Sequence, residues 1–372
     1  MSLEEGKISP LQLSFLVLSF CLGSTLIIFP GINVSQDAWI AVSASFLEGL
    51  VLVFIIVGLS MRFPGKSSIQ FNDEIFGPYL GKLISIIQIW FLLHLGSFAL
   101  RTLSDFFLTA IFPQTPYFVI AGLLMIICAS ATRNGVEVIA RLGPILAFLA
   151  IANILLTTVL LIPKMDLTNF LPVFNTTPAK LITTGHSVTA LTFGETAAFF
   201  MIIPFLNKPQ KARSSVLTGI TLAFLSFLTT IFRDIAASGP LVMIATHPTF
   251  TTVRLIDVGD IFTRLEVLVS VNLLALSFLK ISILLYGTVL GTAQLCKMKS
   301  YLPLVFPAAI IMHVLSIIDF KNELELLDFS MTTWPLYSLP WEVGIPVLSL
   351  IVALVRQIPG KKKFSTKPKK KL

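Results

Sequence analysis

Glycine, hydroxyl and acidic side chains interrupt two long apolar segments of this sequence. The run GSTLIIFPG fills residues 23–31 of the first segment, and the run TFGET fills residues 192–196 of the sixth. A helix that unwinds in apolar surroundings frees N–H and C=O groups where no water competes for them. A helix N-terminus exposed in this way attracts a carboxylate, and free carbonyl oxygens hold an ammonium group or a cation.

The two runs lie at corresponding positions, in the first helices of two predicted five-helix halves. Interrupted helices at matching positions indicate a ligand site near the middle of a membrane protein. The alternative is that glycine and serine only permit close packing between helices, but the matched pair favours a site. We therefore predict a small-molecule site formed by Gly23, Ser24, Thr25, Thr192, Phe193, Gly194 and Glu195.

Ionisable residues stand out inside the apolar segments, namely Glu48, His94, Arg101, Asp105, Glu195, Glu266 and Lys280. A charge there costs roughly 2.5–3.5 kcal/mol to insert, so each needs a partner or a wet cavity. Arg101 and Asp105 are spaced i, i+4 and are predicted to form a structural pair. A lone histidine such as His94 is more often a packing residue than a ligand. Glu48, His94 and Lys280 are candidates for gating or charge balance.

Glu195 lies inside the second run itself, which gives it two candidate roles. It either receives the ammonium group of a zwitterionic ligand or acts as a protonatable switch in a gate. Lys280 either supplies a fixed positive charge where related folds bind sodium, or it neutralises one of the carboxylates. The second role is favoured, because a buried charge is costly unless it is paired.

The sequence does not indicate an enzyme. It contains no nucleophile elbow, P-loop, dinucleotide fingerprint or metal-ligand cluster, and we predict no cofactor and no metal site. The four histidines are scattered over different segments. Cys21, Cys128 and Cys296 lie in or at the edge of apolar segments and are predicted to be buried free thiols.

The elements that position these residues are predicted to be membrane-spanning helices. Of the 372 residues 55% are hydrophobic and 12% are charged, and the mean hydropathy is +0.90, which excludes a soluble domain of this size. Ten apolar segments are suited to crossing about 30 Å of hydrocarbon. They run over residues 11–30, 38–60, 81–111, 117–131, 137–162, 180–206, 213–232, 260–290, 301–318 and 337–356. The links at 163–179 and 233–259 are predicted to form short interfacial helices or caps.

We predict an all-α, polytopic membrane protein with a five-plus-five inverted repeat in one permease-like domain, residues 1–372. Helices 1–5 occupy about residues 11–162, helices 6–10 about residues 180–356, and residues 357–372 form a polybasic tail. With both termini in the cytoplasm, 19 of the 27 lysines and arginines lie on that side and six on the other, as the positive-inside rule requires. The tail either binds anionic membrane lipid or only fixes the topology. Nucleic-acid binding is not indicated, because no folded basic domain accompanies the tail.

Several phrases resemble known families. The run GSTLIIFPG and the long third helix resemble the amino acid/polyamine/organocation permease superfamily, many members of which have a second glycine where this chain has Thr25. Three further runs resemble the B subunit of bacterial spore germinant receptors, namely FGETAAFFMIIPFL at 193–206, HPTFTTVRLIDVGDIFTRLEVL at 247–268 and LKISILLYG at 279–287. The length, the ten helices and the lysine-rich tail agree over essentially the whole chain.

This resemblance implies a membrane subunit of a spore germinant receptor in the inner membrane of the spore. Such a subunit works with A and C subunits and binds an amino acid or similar small nutrient, with pocket positions that match residues 23–25 and 193–195. The expected function is to bind the nutrient at interrupted helices 1 and 6 and to trigger germination. The alternatives are a proton-coupled amino acid transporter and a membrane scaffold with a vestigial pocket.

The charge distribution predicts a cytoplasmic C-terminus. A green fluorescent protein fused after Leu372 should fluoresce in intact bacteria, whereas alkaline phosphatase fused there should be inactive, because its disulfides form only outside the cytoplasm. Phosphatase inserted into the link at residues 163–179 should be active. An active phosphatase at the C-terminus would mean that the predicted number of spans or their orientation is wrong.

Overall fold

The ten apolar segments each contain a helix in the computed structural model, which describes residues 3–26, 31–256 and 264–358. The polybasic tail from residue 359 onward, the IIFP part of the first run and the first residues of the predicted eighth span lie outside the described residues. Numbered along the chain, the helices are α1 (Pro10–Leu22), α2 (Ala38–Arg62), α3 (Ser68–Phe76), α4 (Leu80–Ala110), α5 (Tyr117–Arg133), α6 (Val136–Leu161), α7 (Pro178–Leu191), α8 (Ala212–Ser238), α9 (Pro248–Val253), α10 (Glu266–Leu295), α11 (Val305–Ile318), α12 (Glu323–Thr332), α13 (Trp334–Leu339) and α14 (Ile345–Val355).

Within the described ranges, six helical stretches are long and apolar enough to cross a membrane unaided. These are α2, α4, α6, α8, α10 and the stretch from α13 to α14, which is continuous through a π-helical turn at Pro340–Gly344. The α11 stretch and α12 pass the same test together but bend by 96° at the break between them, and α1 and α5 are shorter apolar helices. The predicted all-α, polytopic architecture with broken first and sixth segments is confirmed.

The first helix starts at a strong sequence signal. Ser9 Oγ accepts a hydrogen bond from the Gln12 N–H, and Gln12 Oε1 accepts one from the Ser9 N–H, at 3.2 and 2.7 Å. This capping box satisfies two amides that the helix itself leaves free, and Pro10 follows in the first helical position, where its missing N–H is not needed. The start of α1 is therefore encoded within four residues.

Residues 3–9, which we call the N-terminal strap, tie the start of α1 to the end of the sixth segment. The Ile8 N–H donates to Phe205 O at 3.0 Å, and the Asn207 N–H donates to Ile8 O at 2.9 Å. Glu4 Oε2 accepts hydrogen bonds from the hydroxyls of Tyr286 and Tyr301 at 3.3 and 3.2 Å. The strap thus joins the two broken segments at one end of the bundle.

Helix α1 lies in the centre of the bundle and packs against α6, α8 and α10. Its contact with α8 depends on Gly219, where an added Cβ would lie 2.5 Å from Ser14 O and 2.7 Å from Val17 Cβ. Small residues at helix crossings let the backbones of membrane helices approach closely. This close approach holds α1 against α8, while α1 also contacts α10, the helix that carries Lys280.

The two long links fold into short helical caps, in agreement with the sequence. In the first, Asp166 precedes a 3-10 turn at Leu167–Phe170, and Thr168 donates to Asp166 Oδ1 from its hydroxyl and its N–H. Those two bonds lower the pKa of the exposed Asp166 carboxyl. In the second, α9 is fastened to α8, because Thr249 Oγ1 donates to Asp234 Oδ2 at 2.6 Å.

Two predictions about individual residues are wrong. Arg233, the first residue of the predicted link at 233–259, lies inside α8, because that helix continues to Ser238; it is buried and pairs with Asp234 at 2.8 Å. Cys296 is exposed rather than buried, because it caps α10 at the end of the bundle, whereas Cys21 and Cys128 are buried free thiols as predicted.

Replacement of Gly219 by alanine should destabilise the protein by about 1–3 kcal/mol, because the new methyl group has to displace the backbone of α1. Gly58 of α2 is the matched control, since an added Cβ there meets no atom within 4 Å. Gly58→Ala should leave stability unchanged or raise it by less than about 1 kcal/mol, the helix propensity difference. Thermal unfolding of the purified variants in detergent measures both, and equal effects would contradict the proposed packing.

Candidate functional site

Both broken segments lose their α-helical geometry where the sequence predicts it. Helix α1 ends at Leu22, and residues 23–26 form turns before the chain leaves the described range. Helix α7 ends at Leu191, Thr192 takes non-helical angles of φ −133° and ψ −72°, and a 3-10 helix follows over Gly194–Met201. A 3-10 helix in the middle of a span often marks a functional hinge.

Thr25 joins the two breaks directly. Its Oγ1 lies 2.8 Å from Cys21 O within its own segment, 3.2 Å from Leu191 O and 3.1 Å from Thr192 Oγ1 in the other. These are the backbone and hydroxyl oxygens that the ends of the two helices leave available. The threonine that replaces a second glycine therefore does not expose the backbone but connects the two segments.

A buried ion pair lies beside this junction. Lys280 Nζ on α10 donates to Glu195 Oε2 at 2.5 Å and to Ser24 Oγ at 2.6 Å, and neither charged side chain has any exposed surface. The ammonium group also lies 5.3 Å above the centre of the Phe20 ring, a favourable cation–π position. Lys280 therefore connects α10 to both broken segments.

Gly23 allows α10 to come this close. A Cβ at Gly23 would lie 3.0 Å from Leu276 O and 3.0 Å from the Cβ of Lys280. On the other side, the carbonyl oxygen of Gly23 accepts a hydrogen bond from the Ser277 hydroxyl. The glycine thus serves close packing, and its freed carbonyl finds a partner on α10, so both interpretations of the first run apply at this position.

Glu48 contacts the second break from α2. Its two carboxylate oxygens are bonded by His186 Nδ1 and Thr189 Oγ1 of α7, both at 2.8 Å. The adjacent Gly49 leaves room for Phe193, whose Cβ would lie 2.5 Å from a Cβ at that glycine. Helix α2 therefore contacts α7, which precedes the second break, and Phe193 within the break.

His94 lies elsewhere in the bundle. Its Nε2 is 3.6 Å from Asp319 Oδ2, and its ring stacks on Trp90 with centroids 5.9 Å apart. The structure does not bring His94 to the breaks. The predicted i, i+4 pair is confirmed, because Arg101 Nε donates to Asp105 Oδ2 at 2.7 Å.

Glu342, which the sequence analysis did not single out, belongs to the same neighbourhood. It is only 2% exposed, lies in the π-helical turn after α13, and packs on Gly194, where an added Cβ would lie 2.2 Å from Glu342 Oε2. The signal available in the sequence was an acidic residue in the phrase PWEVG, inside the last predicted span. Glu342 therefore brings a second buried carboxyl group to the second break, where Glu195 follows Gly194 in the chain.

The described part of the site is closed in this structure. All seven predicted ligand-binding residues are buried, and the cavity that reaches Leu26 has a volume of about 10 Å³, enough for one water molecule. A larger cavity of about 370 Å³ lies at the strap end of the bundle, where Glu4, Lys7, Gln70 and Gln294 contribute to its lining. Across the described residues, no group of three or more His, Cys, Asp and Glu side chains is placed to hold a metal ion.

An all-helical bundle whose broken first and sixth segments meet at buried charges defines a permease-like membrane protein. The solved structure of Mhp1, a nucleobase-cation-symport-1 family transporter with bromovinylhydantoin bound, matches this chain with a TM-score of 0.67 and 13% identity, over 95% of this chain and 92% of that one. MhsT in complex with L-phenylalanine matches with a TM-score of 0.58 and 14% identity, over 94% and 99%. These matches show the transporter fold.

Sequence comparison identifies the particular family. The family described as "Spore germination protein" matches residues 7–324. Spore germination protein KB of Bacillus subtilis (strain 168) is 30% identical over 99% of this chain and 100% of its own length. The chain belongs to the spore germination protein family, a permease-like family rather than an enzyme family.

Replacing Lys280 by methionine should destabilise the protein by about 3–5 kcal/mol, because it leaves the Glu195 carboxylate buried without its partner. The double variant Lys280→Met, Glu195→Gln should recover much of that loss. Arg141→Met is the matched control, since its pair with Glu137 is exposed and contributes at most about 1 kcal/mol. Thermal unfolding in detergent distinguishes these outcomes. A double variant as unstable as Lys280→Met would show that the unpaired Glu195 carboxylate is not the cause of the lost stability.

Proposed function

We propose that this chain is the membrane subunit of a spore germinant receptor, which binds an amino acid or similar small nutrient between its broken helices and thereby triggers germination. One observation carries the proposal: Glu195 and Lys280 form a buried pair of opposite charges between the two broken segments. Membership of a germination family supports the biological role, and the transporter fold supports a small-molecule ligand at this place.

The ion pair suggests how a zwitterionic nutrient is recognised. A free amino acid carries an ammonium and a carboxylate group, the same two charges as Lys280 and Glu195. On binding, the ammonium group of the ligand pairs with the Glu195 carboxylate in place of Lys280. The carboxylate of the ligand then pairs with Lys280 and with free N–H groups at the breaks. Both buried charges keep a partner throughout, so the exchange does not require an unpaired charge.

This exchange converts binding into a conformational signal. Among the described residues, the cavity that reaches Leu26 is about 10 Å³, which is too small for an amino acid. A ligand that binds at the breaks therefore favours a conformation in which the segments have separated. A ligand shifts such an equilibrium only by its difference in affinity for the two conformations. The separated segments then present a changed surface to the A and C subunits in the inner membrane of the spore, with both termini of this chain in the cytoplasm.

Lys280 also bears on the requirement for ions. Its ammonium group bonds Ser24 and lies against the first break, where it supplies a fixed positive charge. We therefore propose that ligand binding needs no sodium ion. A binding response that requires sodium would contradict this role of Lys280.

A secondary transporter is the second candidate, and the fold favours it, because the matching structures are those of transporters. Proteoliposomes that contain only this chain distinguish the two functions. Net uptake of labelled amino acid, driven by a proton gradient, identifies a transporter; binding without uptake identifies a receptor.

The nutrient should be detectable as a stabilising ligand of the purified chain. In a screen of free amino acids, a ligand at a concentration of 100 times its dissociation constant should stabilise the protein by about 2.7 kcal/mol. Glu195→Gln should abolish most of this stabilisation, because the amide cannot balance an ammonium charge. Thermal unfolding with and without sodium measures the effect.

Glu137→Gln is the control, because Glu137 lies on the surface and pairs only with Arg141 among the described contacts. It should respond to the same ligand as the unchanged protein. A full ligand response in Glu195→Gln would exclude Glu195 from the site, and the absence of any response in the unchanged protein would contradict direct binding by this chain.

A further inference from the structure

Glu342 is a buried acid that the proposed ligand exchange does not use. Its Oε1 atom has no hydrogen-bond partner, and the same is true of Glu195 Oε1. The two side chains are 2% and 0% exposed. Glu342 packs on Gly194, and Glu195 is the next residue of that chain segment. Two buried carboxyl groups therefore lie at the second break, and the Oε1 atom of each has no hydrogen-bond partner among the described residues.

The charges around Glu342 do not balance a second carboxylate. Among the described residues, the charged groups near it are Glu195, Lys280 and Glu48, and the Ser338 hydroxyl is the nearby uncharged donor. Lys280 is already bonded to Glu195, and Glu48 is bonded to His186. An ionised Glu342 would thus be an unpaired charge in the middle of the bundle, next to two other acidic groups.

We propose that Glu342 is a proton-binding site of the closed conformation, which carries one proton on its carboxyl group while Gly194 packs against it. Protonation removes the charge that has no partner, and it gives the acid an O–H donor among the buried oxygens around it. The absence of a Cβ at Gly194 permits this contact, since a larger residue would occupy the position of the carboxyl group.

The proton links the site to the broken helix. When the 3-10 helix at Gly194–Met201 separates from the π-helical turn, water reaches Glu342, the carboxylate becomes hydrated, and the proton passes to that water. Closing the site takes the proton up again. Each opening of the break therefore releases one proton, whatever ligand drives it.

Infrared spectroscopy of the purified chain in lipid nanodiscs at neutral pH tests the resting state without any ligand. The unchanged protein should show the C=O stretch of a protonated carboxylic acid in a site that exchanges slowly with deuterated water. Glu342→Gln should lose this band, and Glu266→Gln, a buried glutamate beside Arg264, should keep it. A missing band in the unchanged protein, or a band that is lost in Glu195→Gln and retained in Glu342→Gln, would overturn the proposal.

Native Cys21 provides a second measurement. It is fully buried and lies one turn before Thr25, whose hydroxyl is 2.8 Å from the Cys21 carbonyl oxygen, so it becomes accessible only when the breaks open. In a Cys128→Ser, Cys296→Ser background, alkylation of Cys21 by a small maleimide should rise more steeply with pH when Glu342 is present than in Glu342→Gln. The thiol chemistry is common to both proteins, so parallel pH profiles would refute the link to opening.

The glutamine variant also tests the assignment through its folding. An amide has the size of the protonated acid and no charge, so Glu342→Gln should fold and should unfold at a temperature at least as high as the unchanged protein at alkaline pH. Failure of this variant to fold would overturn the proposal. None of these measurements depends on an added nutrient, so they distinguish the proton site from the proposed receptor function.

Discussion

A carbonyl oxygen that is freed inside a membrane has no water to bind, and the site is organised around this constraint. The Gly23 carbonyl accepts from Ser277 of α10, and the Leu191 carbonyl lies within hydrogen-bond distance of the Thr25 hydroxyl. The Ala190 carbonyl accepts from the indole N–H of Trp334 at 3.1 Å. Each break is therefore stabilised by a side chain from another segment, so the breaks and their neighbours specify one another.

The same dependence explains which features the sequence predicted. Hydropathy and helix length located the spans, because those properties are local, and the i, i+4 spacing of Arg101 and Asp105 was sufficient to predict their pairing. The two runs of glycine and hydroxyl residues located both breaks. Close packing at Gly23 was one of the two alternatives that the sequence left open, and the structure shows that it occurs against α10. The bridging role of Thr25 depends on which helices meet, and it was not predicted.

The features that sequence reasoning missed have a common cause. Glu342 and Gly194 are far apart in the chain, and only the fold places the acid against the second break. The predicted link began at residue 233, but α8 continues to Ser238, and Arg233 pairs within that helix with the next residue, Asp234. Burial of ionisable groups depends on partners, and partners are set by helix packing rather than by local sequence.

The position of α1 has a consequence for the order in which the protein is assembled. Its neighbours α8 and α10, and the residues around 206 that pair with the strap, are synthesised only after most of the chain has entered the membrane. Helix α6 is made earlier, but until the later partners arrive the first helix lacks the contacts that its polar end makes with α10 and with the sixth segment. During biogenesis of this protein, the first helix to be made is therefore among the last to reach its final contacts.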